Sequence, residues 1–282
     1  MKRLRLSPIR RFSLWWMNAG SRFVSLSVAI DFTELGAYLQ RVNKPSEPRI
    51  TLQHVVCRAV GQLYTEFPVA NRRVVGSRIY QAPSVGIAAP VNLIGSDGEK
   101  GVGETSMMLL PKADTMTLVE IAAKSRRAVR QERAGRMSDP VARWLVDVLG
   151  GMPGPVFRSG LRAMDVGQRL PGAARLGWKA APVTTAVSNV GAVYGSQEGT
   201  WFRGASYHPP SRIVHVGSLW GVAPLQEEVV PVDGHPAVRT VVPLVLCFDH
   251  RIFDGVIATK LMIRMSELLR NPDVHFGADG RR

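Results

Sequence analysis

The sequence has few cysteines, no long apolar run and no metal-binding spacing. Its two cysteines, Cys57 and Cys247, each lie in an apolar stretch, which is typical of buried, reduced thiols rather than of a disulfide. No cysteine or histidine cluster has the spacing of a zinc site, so no bound metal is expected. No stretch approaches the about 18 uninterrupted apolar residues of a membrane-spanning helix, so none is predicted.

The N-terminus lacks the long apolar stretch and the small-residue cleavage site of a secretory signal. We therefore expect a cytoplasmic protein. A basic and aromatic stretch at residues 10–17 leaves peripheral attachment to a membrane surface open. An amphipathic helix that packs on its own domain is the favoured interpretation of this stretch.

Acidic residues are scarce relative to basic ones: 22 Asp and Glu stand against 36 Lys and Arg, for a formal charge of +14. This excess attracts anions, and nucleic acid, an anionic membrane surface and a phosphate-bearing small molecule all fit it. The basic residues are spread out and do not interleave with aromatics, which disfavours a nucleic-acid-binding protein. The 45% hydrophobic composition of the 282 residues predicts a folded domain with a substantial core.

Apolar periodicity divides the chain into strands and helices. Before residue 133 it predicts a strand at 25–30, a helix ending near Val42 and capped by Asp31 or Thr33, a helix at 51–66, strands within 78–91 and 103–110, and a helix at 117–132. After residue 180 it predicts strands at 183–190, 212–219, 227–232 and 238–248, then a helix at 254–269. This order indicates an α+β domain, with helices on one face of a mixed sheet.

A basic helical excursion interrupts this pattern at residues 133–180. Helical periodicity is present at 141–149 and 157–164, on either side of a Gly/Pro-rich break. The arginines of this segment are expected to face solvent or an anionic partner. We predict a single domain over residues 1–275 that includes this excursion, followed by a flexible tail at 276–282.

The most informative stretch is residues 246–255, where a buried strand ends at a polar loop and a helix begins. His250 lies at the strand end, and histidine is the side chain best suited to general-base catalysis near neutral pH. Asp254 lies at the predicted helix N-terminus, where free backbone N–H groups favour a carboxylate. Gly255 permits a tight turn or a close approach of the chain. Taken alone, the pattern fits a structural histidine at a strand end better than a catalytic one.

The residues on either side of His250 favour a catalytic role over a structural one. His250, followed by three residues, Asp254 and Gly255, with Asp249 before it and Arg251 after it, resembles the active-site motif of the acyltransferase component of 2-oxo acid dehydrogenase complexes. That family shares its fold with chloramphenicol acetyltransferase. Other segments resemble the family in the expected order, so that the resemblance covers most of the chain from Leu6 to Pro272: residues 6–11, 28–35, 67–71, 187–191, 208–210, 214–217 and 268–272.

The resemblance implies a chloramphenicol acetyltransferase-like two-layer sandwich and transfer of an acyl group from coenzyme A to a thiol, hydroxyl or amine. It implies that His250 is the general base and that Ser188 donates a hydrogen bond to the oxyanion intermediate. It also implies trimers, or multiples of trimers, with the active site in a channel between subunits. His250 and Ser188 are then expected to come from different chains.

The remaining motif residues have structural roles in this interpretation. Asp254 is expected to hold the histidine loop through an ion pair with Arg10 or Arg11, and the sequence does not choose between the two. Structural roles at the site are also expected for Asp249, Arg251, Gly255 and Asn189. The residues that bind coenzyme A are not identified by the sequence.

The chain differs from the family pattern in three respects. It has no lipoyl domain, no Pro/Ala-rich linker and no subunit-binding segment, so we expect a stand-alone form that carries no lipoyl group. A polar loop at 92–101 interrupts the segment that matches the family's usual strand pair, and this affects the expected wall of the substrate channel. The basic excursion is longer than the family's equivalent, and its arginines could instead bind coenzyme A phosphates.

A non-catalytic relative that uses the same fold as a binding or assembly module is the main alternative. The full set of His250, Asp254, Gly255 and Ser188 favours the enzyme.

Overall fold

The computed structural model describes residues 2–3, 22–92, 105–134, 152–170, 172–192, 199–204, 208 and 214–282. Four predictions fall outside these residues and stay predictions. They concern the amphipathic helix at 10–17, the roles of Arg10 and Arg11, most of the polar loop at 92–101, and the helix at 141–149.

The described residues form ten strands and seven α-helices. The strands are β1 Lys2–Arg3, β2 Phe23–Asp31, β3 Arg72–Val75, β4 Arg78–Gln81, β5 Ile87–Asn92, β6 Thr105–Leu110, β7 Thr185–Asn189, β8 Ser218–Val222, β9 Gln226–Val232 and β10 His235–Asp249. The helices are α1 Thr33–Val42, α2 Leu52–Glu66, α3 Leu118–Arg133, α4 Gly154–Gly167, α5 Ala173–Ala180, α6 Gly255–Arg270 and α7 Pro272–Phe276. Most predicted elements are therefore confirmed, whereas β1, β3, α5 and α7 were not predicted.

A seven-stranded mixed sheet carries the candidate site. Its order is β2-β10-β8-β7-β5-β6, with β9 paired to the N-terminal half of β10, and a separate three-stranded sheet has the order β1-β4-β3. The pairs β5–β7 and β7–β8 are parallel, and the other pairs are antiparallel. The C-terminal half of β10, Val241–Asp249, is buried along its whole length. An uninterrupted apolar run is typical of a strand that is covered on both faces.

Helices α1, α2 and α6 pack on one face of the large sheet, as predicted for an α+β domain. The core between them contains helix residues such as Val56, Leu63, Leu261 and Met265, all fully buried. Burial of each such side chain stabilises the fold by about 1.5–3 kcal/mol. Both cysteines are buried and free, as the sequence predicts.

Local polar contacts define where the helices start. Asp31 Oδ1 accepts a hydrogen bond from the Thr33 backbone N–H at 2.8 Å, but the N-cap of α1 is Phe32, so neither Asp31 nor Thr33 occupies the predicted capping position. At the start of α2, the Thr51 N–H donates to His54 Nδ1 at 3.1 Å. Such contacts satisfy backbone donors that the first helical turn leaves without partners.

The strand predicted at 212–219 is wrong in its position, since β8 begins at Ser218 and extends to Val222. Before it, the Gly217 N–H donates to the Thr184 carbonyl oxygen at 2.8 Å, and the Gly217 carbonyl oxygen accepts from the Asp249 N–H at 2.9 Å. These single bonds do not form a continuous ladder. A β-carbon at Gly217 would lie 2.6 Å from Ile252 Cδ1 and 3.1 Å from the Arg72 carbonyl oxygen, so a side chain there would require its neighbours to shift.

The flexible tail predicted from residue 276 is also wrong for several of its residues. The Phe276 ring is fully buried, and the Tyr38 hydroxyl donates to the Gly277 carbonyl oxygen at 2.9 Å. Arg281 Nη2 contacts Glu47 Oε1 at 2.9 Å. Apolar burial and these contacts attach the segment to α1 and the loop that follows it.

Two helices of the basic excursion are described, and they differ in burial. No residue of α4 is buried, whereas Ala174 and Trp178 of α5 are. The Arg73 guanidinium lies over the Trp178 ring, 5.7 Å from its centroid, which attaches α5 to β3. Among the described residues, no helix is long and apolar enough to cross a bilayer.

Candidate active site

His250 is the first residue after β10 and is half-buried. Its backbone N–H donates to the Arg22 carbonyl oxygen at 2.8 Å, and its ring stacks on Phe248 with centroids 5.9 Å apart. Phe248 in turn stacks on Phe253 at 4.6 Å. The His250 Nδ1 atom is buried and has no hydrogen-bond partner among the described residues. A buried ring nitrogen usually has such a partner, so Nδ1 is available to a group from outside the described residues.

Asp249 precedes His250 and is fully buried. Its Oδ1 accepts hydrogen bonds from the Arg251 backbone N–H at 3.0 Å and from Arg251 Nε at 2.9 Å. Its Oδ2 contacts His215 Nε2 at 2.9 Å and also accepts from the Arg251 guanidinium. Burial alone would raise the pKa of Asp249, but the hydrogen bonds and charges of Arg251 and His215 outweigh it and hold the pKa below its usual range.

This arrangement separates the roles of the two ionisable side chains at the strand end. Asp249 is a carboxylate whose two oxygens are both occupied by hydrogen bonds, so it is poorly suited to accept a proton from a substrate. The Nδ1 atom of His250, by contrast, has no hydrogen-bond partner among the described residues. Within this loop, His250 is therefore the group that can act as a base, while Asp249 and Arg251 support the backbone on either side of it.

His215 is part of this cluster and was not identified from the sequence. It is 3% exposed, and its Nδ1 accepts a hydrogen bond from the Val74 backbone N–H at 3.1 Å. The ring therefore connects β3 of the small sheet to Asp249. The only sequence signal was an ionisable residue in the apolar run at 213–216, and nothing in that run indicates a partner. Arg22, whose carbonyl oxygen holds the His250 backbone, was also missed.

Asp254 and Gly255 lie at the start of α6. Asp254 is the N-cap, and its Oδ1 accepts from the Ile257 backbone N–H at 3.1 Å, which confirms the predicted place at a helix N-terminus. Gly255 does not make the tight approach that was expected of it. A β-carbon there would meet no described atom within 4 Å, and its φ lies outside the left-handed region. In the described chain, Gly255 is an exposed first residue of the helix.

Ser188 and Asn189 end β7 at a distance from His250. Ser188 pairs with Gly221 of β8, and Gly221 pairs with Val245 of β10, five positions before His250. This register separates the two residues by about 17 Å along the strands and about 10 Å across them. Asn189 Oδ1 accepts from the Ala192 N–H at 3.1 Å and so shapes the 3-10 turn that follows β7.

A cavity of about 710 Å³ opens next to the Ser188 end of the sheet. It lies between α1, the start of α2 and the segments that follow β7 and β8. Its described lining is mainly apolar, with Arg49 as its charged member, and comprises Phe32, Gly36, Leu39, Gln40, Asn43, Arg49, Ile50, Thr51, Leu52, Asn189, Gly191, Ala192, Ala223 and Leu225. Apolar cavities with few polar groups are typical sites for small molecules.

Known structures share this fold. The chain is similar to a protein of the cubic core of the pyruvate dehydrogenase multienzyme complex, with 18% identity, 96% of this chain and 93% of that chain covered, and a TM-score of 0.61. It is also similar to chloramphenicol acetyltransferase, with 10% identity, 95% and 99% covered, and a TM-score of 0.53. The chain thus has the α+β, chloramphenicol acetyltransferase-like fold that the sequence predicts.

Sequence comparison identifies the protein family that part of the chain resembles. Residues 181–276 match the family described as 2-oxoacid dehydrogenases acyltransferase (catalytic domain). Over 218 residues, 77% of the chain, it is 28% identical to the dihydrolipoyllysine-residue succinyltransferase component of the 2-oxoglutarate dehydrogenase complex of Bartonella vinsonii subsp. berkhoffii. The chain spans 39% of that relative's length. Residues 181–276, which contain Ser188, His215 and His250, thus match the catalytic-domain family of the 2-oxo acid dehydrogenase acyltransferases.

Proposed function

We propose that the protein is a coenzyme A-dependent acyltransferase in which His250 is the general base. The observation that carries the proposal is the half-buried His250 at the end of β10, next to a carboxylate fully occupied by Arg251 and His215. The acyl acceptor is a thiol, a hydroxyl or an amine, and the donor is a coenzyme A thioester. The family match over residues 181–276 supports this chemistry.

His250 removes the proton from the acceptor as the acceptor attacks the thioester carbonyl carbon. The carbonyl oxygen becomes an oxyanion, to which the Ser188 hydroxyl donates a hydrogen bond. The intermediate then collapses, the carbon–sulfur bond breaks, and the thiolate of coenzyme A takes the proton from His250. The products are the acylated acceptor and free coenzyme A, and the base returns to its neutral form.

The active site is proposed to form between two copies of the chain, within a trimer or a multiple of trimers. The strand register supports this, because Ser188 and His250 of one chain are separated by about 17 Å along the strands. A hydroxyl at that distance cannot contact an oxyanion beside His250. The similarity to a cubic enzyme core adds a precedent for such assembly. Asp254 is proposed to pair with Arg10 or Arg11 in the assembled site.

The reaction is tested by incubating the protein with acetyl-, propionyl- and longer acyl-coenzyme A in the presence of dihydrolipoamide, an alcohol or an amine. Release of free thiol and mass spectrometry of the acceptor report the transfer. Faster release than without protein, with acylated acceptor formed, supports the proposal. Coenzyme A binding without any transfer would favour the alternative of a binding module. The absence of both binding and transfer would refute the proposal.

Replacing Ser188 with alanine is expected to lower kcat by about 100- to 1000-fold, the typical loss when one oxyanion donor is removed. Ser77→Ala is the control, because Ser77 is exposed in the turn between β3 and β4.

The proposed site between two chains provides a second test. Co-refolded Ser188→Ala and His250→Ala chains are expected to regain about one quarter of the wild-type sites, since a mixed oligomer can combine the intact residue of each chain. No recovery in mixed oligomers would place both residues in one chain.

We further propose that α4 and α5 bind an anionic lipid surface. Helix α4 buries no residue and carries the exposed Val156 together with the exposed arginines 158 and 162, and α5 carries the exposed Leu176 next to the exposed Arg175. Such a combination is typical of helices that lie in a membrane interface. Nucleic acid fits less well, because it would leave the apolar side chains exposed.

The membrane proposal predicts that the protein co-sediments with phosphatidylglycerol vesicles but not with phosphatidylcholine vesicles, and less so at high salt. The double substitution Arg158→Glu/Arg162→Glu is expected to abolish binding. Lys44→Glu/Lys260→Glu changes the net charge by the same amount at exposed sites elsewhere and is expected to bind normally. Equal loss in both variants, or binding to duplex DNA alone, would contradict the proposal.

A further inference from the structure

His215 occupies a buried position between the two sheets and the histidine loop. It is 3% exposed, yet both ring nitrogens have hydrogen-bond partners in different parts of the chain. Nδ1 contacts the backbone N–H of Val74 in β3, and Nε2 contacts the Asp249 carboxylate at the end of β10. The ring therefore joins the small sheet to the residue that directly precedes His250.

The hydrogen bonds define which ring nitrogen carries the proton. The Val74 backbone can only donate, so Nδ1 is the acceptor, and the proton is on Nε2, which donates to Asp249 Oδ2 at 2.9 Å. Burial lowers the pKa of His215, and the hydrogen bond and charge of Asp249 only partly oppose that effect. His215 is therefore a neutral donor in a definite tautomer rather than a second cation beside Arg251.

The His215 donor differs from Arg251 in the part of the chain that it connects to Asp249. Arg251 lies two residues after Asp249, so its hydrogen bonds to Asp249 join residues of the same loop. His215 belongs to a separate segment, and through Val74 it connects Asp249 to a strand outside the loop. The Arg22 guanidinium is more remote, with its Nε 3.9 Å from Asp249 Oδ2. Among these contacts, the two hydrogen bonds of the His215 ring connect the Asp249 carboxylate to the small sheet.

We propose that His215 is a positioning residue for His250: its Nε2–H donor orients Asp249 and thereby sets the place of the catalytic imidazole. The inference rests on the proposed function, because it assigns His215 a role in that reaction. His215 does not contact the reacting atoms. A displacement of about 1 Å at a reacting group can cost about 100-fold in rate, so a contact one residue away from the base affects turnover.

Two polar substitutions separate positioning from general core stability. In His215→Gln the side-chain amide nitrogen reaches the place of Nε2 and can still donate to Asp249. In His215→Asn the side chain is shorter, so it can accept from Val74 but cannot reach Asp249. We expect His215→Asn to lower kcat by about 10- to 100-fold with an unchanged KM for the acyl donor. His215→Gln is expected to restore most of the rate.

The experiment measures kcat and KM for both variants, their thermal unfolding, and the rate at which diethyl pyrocarbonate modifies His250, followed by mass spectrometry. A slow Asn variant, a nearly normal Gln variant and altered His250 modification only in the Asn variant support the inference. The inference is refuted if kcat falls in both variants in proportion to their melting temperatures, or if His215→Asn has a normal kcat.

The modification rate also separates this inference from the proposed function. If the wild-type protein transfers no acyl group, the proposed function fails, while altered modification in His215→Asn still shows that His215 positions His250. Unaltered modification in that variant would refute the positioning role as well.

Discussion

Replacing His250 with alanine is expected to lower the rate of acyl transfer by about 100- to 10,000-fold, the range typical for loss of a general base. The substitution removes the imidazole but keeps the backbone N–H that donates to the Arg22 carbonyl oxygen. Asp249 and Arg251 also keep their mutual hydrogen bonds, so the loop is expected to retain its shape. The measurement is the initial rate of thiol release from the acyl-coenzyme A that the wild-type protein uses fastest.

His235→Ala is the matched control for this prediction. His235 is the exposed first residue of β10, so its loss removes a histidine from the same strand without touching the candidate site. We expect its rate to equal that of the wild type. Circular dichroism of both variants checks that they are folded. A His250→Ala protein that is folded and as fast as His235→Ala would exclude His250 as the base.

Replacing Arg251 with alanine is expected to lower the free energy of unfolding by about 3–5 kcal/mol, the usual cost of leaving one charge of a buried pair without its partner. Asp249 is fully buried and Arg251 is 4% exposed, so the substitution leaves a carboxylate away from bulk solvent without its charged partner. His215 remains as a neutral donor to one oxygen, but Oδ1 loses the Arg251 Nε contact at 2.9 Å. Urea unfolding followed by tryptophan fluorescence measures the loss.

Two further variants test that explanation. The double substitution Asp249→Asn/Arg251→Met removes both charges and is expected to be more stable than Arg251→Ala alone, because no uncompensated carboxylate remains. Arg264→Ala breaks a surface pair with Glu66 and is expected to cost much less. If Arg251→Ala and Arg264→Ala lose the same stability, the buried pair does not support the loop as described.

The local structure around His250 could be predicted because neighbouring residues encode each part of it. The apolar run before Asp249 predicts a buried strand, and β10 ends at that residue. Asp254 precedes an apolar stripe at helical spacing, and it is the N-cap of α6. Both signals belong to windows of about ten residues, in which periods of two and of 3.6 are easily distinguished.

Contacts between distant segments could not be predicted in this way. His215 lies 34 residues from Asp249 and 141 from Val74, and a lone histidine in an apolar run carries no information about either partner. The same limit explains the misplaced strand at 212–219. The apolar run there suggested a strand, whereas Gly217 makes single backbone bonds to Thr184 and Asp249 that no short window encodes.

The sequence by itself determined the α+β class, the strand, loop and helix around His250, and the strand end that carries Ser188. Only the tertiary structure decided that His215 supports Asp249 and that Ser188 lies far from His250 within one chain. The physical reason is that these distances depend on strand register. Register is set by which side chains pack on the two faces of the assembled sheet, and the pattern within a single strand does not contain it.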